Sequence, residues 1–349
     1  MKKIFVALLL LPAFAQAQLG GSYSFAFLKL PNNARVASLG GTLNCIADED
    51  VGQAWQNPAL INAEMNNRIS FNTVNYLSDI NHGSAAFAHS FKKYGNMAAG
   101  IQYVNYGSFK GYDENGNATA NFSAGEQCYY AAYSYQYLKT LSVGATVKYI
   151  MSTLETYRAT GLAADIGIHW KRKDSIVNAA LVFKNIGTML NGYSSSQNKE
   201  PLPYEVQAGI SIKPRHMPIR FSIMGANLQT KNTAFLNPNK AKTISLDSGV
   251  EIEEKVTISQ NIFTHLTFGA EFILGKSLFL RFGYNPRTSR EMKLTDVRSF
   301  SGFSWGLGIK IKRFSFSYGN VKIFAGQNSN LFSMTLSLDK MKWSLPKKK

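Results

Sequence analysis

The chain has 349 residues and a formal net charge of +17, enough for one large domain or two average ones. So basic a balance suits acidic partners or anionic lipid headgroups. It argues little for nucleic acid, because the chain opens on an export signal and no basic tract interleaves with aromatics in a known module. Tyrosine (17), phenylalanine (23) and glycine (28) are abundant, a mix that suits strands with one face to lipid and one to a polar lumen.

The first residues predict the compartment. Lys2 and Lys3 give a positive start, residues 4–14 are apolar, and Ala15-Gln16-Ala17 is a small-x-small cleavage site. Residues 1–17 are therefore expected to be a cleaved signal peptide, with the mature chain starting near Gln18. The residue after the site is not cysteine, which argues against a lipid anchor. The apolar run is too short to span a bilayer, and no later stretch approaches the ~20 apolar residues of a membrane helix.

Residues 18–66 come next and do not alternate. The stretch 27–60 is apolar without a period of two and carries Arg35, Gly40-Gly41, the acidic triplet Asp48-Glu49-Asp50, and Asn57-Pro58-Ala59. It is expected to fold as a plug inside a barrel formed by residues 67–340, with a basic tail at 341–349. Proline fixes φ and asparagine caps its own backbone, so Asn57 and Pro58 read as a turn. Gly40 and Gly41 read as a tight bend or a close approach to the wall.

From Arg68 onward the chain alternates. Fourteen strand-like runs follow, near 68–77, 83–91, 97–107, 125–137, 141–153, 157–170, 176–186, 204–212, 218–228, 262–274, 277–284, 300–312, 314–320 and 331–338. Each is close to the ~9–11 residues that cross a membrane when tilted. The even-numbered connections are short and most odd-numbered ones are long; the first and third odd ones are the exceptions. Short periplasmic turns alternating with longer outer loops is the topology of outer-membrane barrels. Within 127–137, Tyr129, Ala131, Tyr133, Tyr135 and Tyr137 share the face expected toward lipid, and Cys128, Tyr130, Ala132, Ser134 and Gln136 the lumen face. In 300–312, Phe303, Trp305, Leu307 and Ile309 oppose Gly302, Ser304, Gly306 and Gly308.

Charge is patterned too. Lys92, Lys93, Lys139, Lys171, Arg172, Lys173, Lys213, Arg215, Lys276, Lys310, Lys312 and Arg313 fall at or beside the even turns. Such a rim is either a solvated border that keeps turns out of lipid or a docking surface for an acidic periplasmic partner. Acidic residues gather instead at 247–254, in the longest outer loop. Cys45 and Cys128 make neither a metal site nor a disulfide framework. They either pair as a plug–wall disulfide in an oxidising compartment or remain two independent buried thiols.

Two enzyme motifs occur in unsuitable places. Gly302-Phe303-Ser304-Trp305-Gly306 matches G-x-S-x-G, which needs a strand–turn–helix context. Ser90-Phe91-Lys92-Lys93 matches S-x-x-K at a strand end, without its companion motifs. His82, His89, His169, His216 and His265 are scattered, with no zinc-type spacing. The Asp48-Glu49-Asp50 triplet admits calcium, or hydrogen bonds and salt bridges to the wall, with Arg35 as a partner. No phosphate loop or dinucleotide fingerprint is present. The expectation is a protein without catalytic activity, cofactor or metal.

Leu30-Pro31, Ala34-Arg35, Leu39-Gly40-Gly41, Asp48, Asp50 and Asn57-Pro58-Ala59-Leu60 together resemble the plug of FadL-like fourteen-stranded barrels. More narrowly, they resemble the PorV/PorQ branch found in the type IX secretion system. The likeness extends through Tyr103-Val104-Asn105-Tyr106-Gly107, Phe122-Ser123-Ala124-Gly125-Glu126, Glu200-Pro201-Leu202-Pro203, Gly283-Tyr284-Asn285 with Arg287, and Gly302–Gly308. It implies a non-catalytic subunit of an attachment complex in a Gram-negative outer membrane. The implied partners are a PorZ-like surface protein that it anchors, PorU- and PorV-like subunits, and outer-membrane lipid with lipopolysaccharide. One departure is the C-terminus, which ends in three lysines rather than the aromatic residue of many such barrels; an insertion signal within 331–338 is the alternative. The fold also allows a transporter of small hydrophobic molecules, which should show an apolar lumen pocket and a kinked wall strand. A general porin is disfavoured by the plug.

Overall fold

A computed structural model describes residues 23–75, 80–193, 199–233, 243–244, 251–252, 257–292, 300–324 and 327–338. The expected signal peptide, the basic tail and most of the acidic stretch 247–254 lie outside the described residues.

Fourteen strands close into one antiparallel barrel. In chain order they are β1 Arg68–Asn75, β2 Asn81–Ser90, β3 Asn96–Phe109, β4 Phe122–Leu138, β5 Leu141–Leu154, β6 Tyr157–Lys171, β7 Val177–Asn191, β8 Glu205–Ile212 and β9 Ile219–Gly225, then β12 Leu266–Leu274, β13 Leu278–Tyr284, β14 Phe303–Ile311, β15 Phe314–Phe324 and β16 Gln327–Ser337. A two-stranded ribbon, β10 Thr243–Ile244 with β11 Glu251–Ile252, belongs to the longest loop. Every barrel strand pairs with its neighbour along the chain, and β1 closes on β16 from Arg68↔Ser337 to Asn75↔Asn330.

Each wall strand buries one face and exposes the other. Along β4, Cys128, Tyr130, Ala132 and Ser134 are buried while Tyr129, Tyr133, Tyr135 and Tyr137 are exposed. An outward apolar face of this kind, repeated by Phe303, Trp305, Leu307 and Ile309 on β14, is the face a membrane barrel turns to lipid. The wall is uneven in height. Strands β4, β6 and β7 have 17, 15 and 15 residues, whereas β8, β9 and β13 have 8, 7 and 7.

Three expectations are corrected. Residues 262–265 do not begin a strand: they end α3, Ile258–His265, which Thr257 and Gln260 start with a reciprocal capping box. Residues 226–228 lie beyond β9, which stops at Gly225. Gly302 is not a lumen-face strand position, because it sits in a turn with φ 86° just before β14. A further outer helix, α4 Pro286–Glu291, was not foreseen; Asn285 accepts from Arg287 N and Thr288 N, and Pro286 occupies the first turn.

The segment 23–65 packs against the buried face of the wall. It holds two short helices, α1 Ala34–Ser38 and α2 Gln53–Gln56, with single helical turns between extended pieces. Asn33 caps α1 by accepting from Val36 N at 2.8 Å. Leu28, Val36, Leu39, Leu43, Val51, Trp55, Leu60 and Met65 are each at most 1% exposed. Burying an apolar side chain of this size is worth about 1.5–3 kcal/mol, so the segment has a core of its own shared with the wall.

Candidate functional site

The lumen is held by two charged clusters and a set of close backbone approaches. The first cluster centres on Glu271 of β12, which is 1% exposed. Its carboxylate accepts from Arg35 Nη2 at 3.1 Å, Arg220 Nη1 at 2.9 Å and Arg281 Nε at 2.9 Å. Arg35 Nη1 also lies 2.7 Å from Asp48 and 3.6 Å from Asp50. Arg35, Asp48 and Asp50 of the segment therefore meet Arg220, Glu271 and Arg281 of three wall strands. Glu49 faces the other way, toward Arg68 at 2.7 Å and Lys310. The acidic triplet is thus committed to cations of the protein. Among the described residues no three His, Cys, Asp or Glu side chains gather as a metal site.

The second cluster lies across the lumen. Lys148 Nζ is 2.7 Å from Asp165 and donates to Asn185 Oδ1 at 2.8 Å, with the Trp55 ring centroid 4.3 Å away. A buried cation held by a carboxylate, an amide and an aromatic face is well satisfied. Asn185 has φ 57° and forms, with Lys184, a bulge in β7 where both oppose Asp165. Asn185 N donates to Asp165 Oδ1 at 2.8 Å, and Asn185 Nδ2 to Pro203 O at 3.1 Å.

The glycines and the turn position the backbone. Gly40 and Gly41 have φ 95° and 91°, the region that favours glycine. Gly40 N donates to Ser304 Oγ at 3.2 Å, and Gly40 O accepts from Asn285 Nδ2 at 3.1 Å. Asn57 Oδ1 accepts from Ala59 N at 2.9 Å while its amide donates to Asn44 O at 2.9 Å. Pro58 rests on Gly144 of β5, where an added Cβ would lie 2.5 Å from the Pro58 carbonyl carbon.

Two cavities remain between segment and wall. One, of about 310 Å³, lies at the loop end beneath α3 and α4 and is bordered by Lys29, Lys184, His82 and Glu205 among others. The other, of about 290 Å³, lies at the turn end beside Arg35, Asp48 and Glu271.

The two enzyme-like motifs fall on a wall strand and at a strand end. Ser304 Oγ donates to Ser38 O at 3.1 Å, and Ser90 ends β2 ahead of a turn at Lys92–Tyr94. Cys45 and Cys128 are free and buried. Cys45 lies 3.9 Å from the Met224 sulfur, and burial pushes its thiol up to about 12. Both thiols are expected to resist a maleimide in the folded barrel and to react after unfolding; labelling followed by mass spectrometry checks this, and reductant should leave the unfolding midpoint unchanged.

The basic turn residues stand together at one end of the barrel. Asp174, in the turn after β6, accepts from Arg172 at 2.5 and 2.7 Å, which holds its carboxyl down at about 2. Sequence reasoning did not single out Glu271, Arg220, Arg281, Lys148 or Asp165. The signal was present: each is a charge on the lumen-facing register of its strand.

No protein-family model matches the chain, and no curated protein matches it. Solved barrels do. The deltaS2 mutant of the TodX monoaromatic hydrocarbon channel is 12% identical, with 88% of this chain and 97% of that chain covered and a TM-score of 0.50. The CymD monoaromatic hydrocarbon channel is 12% identical over 88% and 98%, with a TM-score of 0.49. A Pseudomonas aeruginosa FadL homologue is 10% identical over 88% and 98%, with a TM-score of 0.47. At these identities the likeness is one of fold alone: a closed antiparallel barrel like that of the TodX channel.

Proposed function

We propose that the protein is a non-catalytic outer-membrane barrel acting as a scaffold in a type IX secretion attachment complex, as PorQ-like barrels do. In this reading it anchors a PorZ-like surface protein beside PorU- and PorV-like subunits, in contact with lipopolysaccharide. The observation that carries the proposal is the filled lumen: segment 23–65 is tied to the wall by Arg35–Glu271 at 3.1 Å and by the Trp55–Lys148 contact at 4.3 Å. A barrel whose interior is occupied by its own chain is suited to presenting its ends to partners. The outward apolar face supports a place in the outer membrane, and export through the signal at 1–17 is part of the proposal.

The test is a clean deletion strain scored for cargo bearing C-terminal signal domains. The expected result is loss of surface-attached cargo, with uncleaved or released cargo in periplasm or medium. Normal attachment would overturn the scaffold. The turn end gives a second test. Reversing Lys171, Arg172 and Lys173 to glutamate should cut recovery of an acidic periplasmic partner in pull-downs by about tenfold, because charge complementarity governs such encounters. Unchanged recovery would leave the rim as a solvated border.

A second reading, a transporter of small hydrophobic molecules, is favoured by the β7 bulge at Asn185 and the loop-end cavity. Normal cargo attachment with reduced uptake of an aromatic compound would select it.

A further inference from the structure

We infer that α3 is an interfacial helix whose apolar face lies among the acyl chains of the outer leaflet, where it makes up height that the wall lacks on that side. The inference rests on the outer-membrane reading and is independent of the scaffold.

The wall itself shows the shortfall. Strands β8, β9, β12 and β13 stand side by side and have 8, 7, 9 and 7 residues. At ~3.4 Å per residue and a tilt of ~40°, the two shortest rise ~18 Å, against an apolar band of ~25 Å. The missing height is at the loop end. The ladder of β7 with β8 starts beside the turn at Val177↔Ile212 and stops at Lys184↔Glu205, while β7 runs on to Asn191. The wall therefore steps down, on its outer side, as it passes from β7 to β8.

Helix α3 stands on the low side and leads directly into Leu266, the first residue of β12. Ala226 N donates to His265 O at 2.8 Å, and His265 Nδ1 donates to Ala226 O at 2.9 Å. The last turn of the helix is thus fixed to the chain just past β9. Thr264 is buried and shares a hydroxyl hydrogen bond with Thr233 at 2.7 Å. With Thr264 turned in, Ile258, Ile262 and Phe263 are turned out, 82%, 54% and 53% exposed. Ile258 and Ile262, four residues apart, lie on one stripe. Below them the outward row of the wall continues: Leu266 pairs with Gly225 and Phe268 with Ile223, beside exposed Leu228 and Phe221. The helix face and the lipid face of the wall form one apolar surface.

The chemistry of the helix favours lipid as its occupant. Residues 257–266 carry no Asp, Glu, Lys or Arg, so no charge on this face resists leaving water. A helix also satisfies its own backbone, which a loop at that depth would not. A protein partner seated on the same face would leave the low side of the wall mismatched to the leaflet beside it.

The test places an environment-sensitive nitrobenzoxadiazole probe on cysteine in the full-length barrel, in vesicles of phosphatidylcholine with or without acyl-chain bromine. Ile262→Cys reports the helix, Ile223→Cys the wall, and Asn115→Cys the exposed loop between β3 and β4. The parent, with Cys45 and Cys128 buried, is the labelling blank. For a face sunk ~5–10 Å into the boundary, bromine should quench the Ile262→Cys probe at least about twofold. The Ile223→Cys probe should be quenched as well, and the Asn115→Cys probe should be unaffected. Phe263→Cys gives the same comparison if Ile262→Cys does not fold. A quenched wall probe with a helix probe that behaves like Asn115→Cys would overturn the inference alone and leave the face to a protein partner. An unquenched wall probe would overturn the membrane reading with it.

Discussion

Glu271→Gln should destabilise the barrel by about 3–5 kcal/mol, the cost of stranding buried cations by removing their shared anion. Three guanidiniums converge on this one carboxylate, and two of their side chains, Arg35 and Arg281, are at most 8% exposed. The amide keeps the shape and one acceptor oxygen, so the loss reports charge rather than packing. Urea unfolding in lipid vesicles, followed by tryptophan fluorescence, measures it. Glu49→Gln is the comparison. Its partners Arg68 and Lys310 are part exposed, and its loss should cost about 1 kcal/mol or less. Equal effects would mean that Glu271 is not the anchor of the segment.

Gly144→Val should unseat the segment while leaving the wall intact. An added Cβ would lie 2.5 Å from the Pro58 carbonyl carbon and 2.6 Å from Ala59 N. Both are backbone atoms, with no flexible side chain to swing away. Valine adds two further methyl groups, and overpacking of this kind costs about 1–3 kcal/mol. Three residues on the segment side, Asn57, Pro58 and Ala59, must move together because Asn57 bonds Ala59 N and Asn44 O. The expected readout is discrete conductance in planar bilayers and faster proteolysis within residues 23–65, both at least tenfold above the parent. Ala145→Val, one residue along on the exposed face, should change neither. Conductance equal to the parent in Gly144→Val would show that the lumen is not closed by this turn.

The wall was legible because lipid and lumen impose a strict period of two. Tyr129, Tyr133, Tyr135 and Tyr137 share one face against Tyr130, Ala132, Ser134 and Gln136 on the other, and the parity of connection lengths distinguishes turns from loops. Legibility failed where local capping overrides the strand pattern. Ile262 and Phe263 look like strand residues, but Thr257 and Gln260 cap a helix that runs through them. Within the segment, Arg35 and the acidic triplet were visible as opposite charges. Their third party, Glu271, lies 236 residues away from Arg35, and only barrel closure decides which inward charge faces which. The same holds for Lys148 and Trp55. Pairings within a strand or turn are written in spacing; pairings across a lumen depend on shear and tilt, which a single sequence does not carry.

The last turn of the buried segment, Ala63–Met65, is followed within three residues by β1, one of the two strands of the closing seam. At its other end Ser24 N donates to Pro201 O, in the connection between β7 and β8 at the opposite mouth. The segment therefore runs the length of the barrel and is continuous with the strand that locks it. Such a chain is enclosed as the last ladder forms, in the way a cord is caught by a zip drawn over it. Its residence is then governed by the lifetime of the β1–β16 ladder rather than by its own affinity for the wall. The same peptide supplied separately to a finished barrel would face a different and much slower route in.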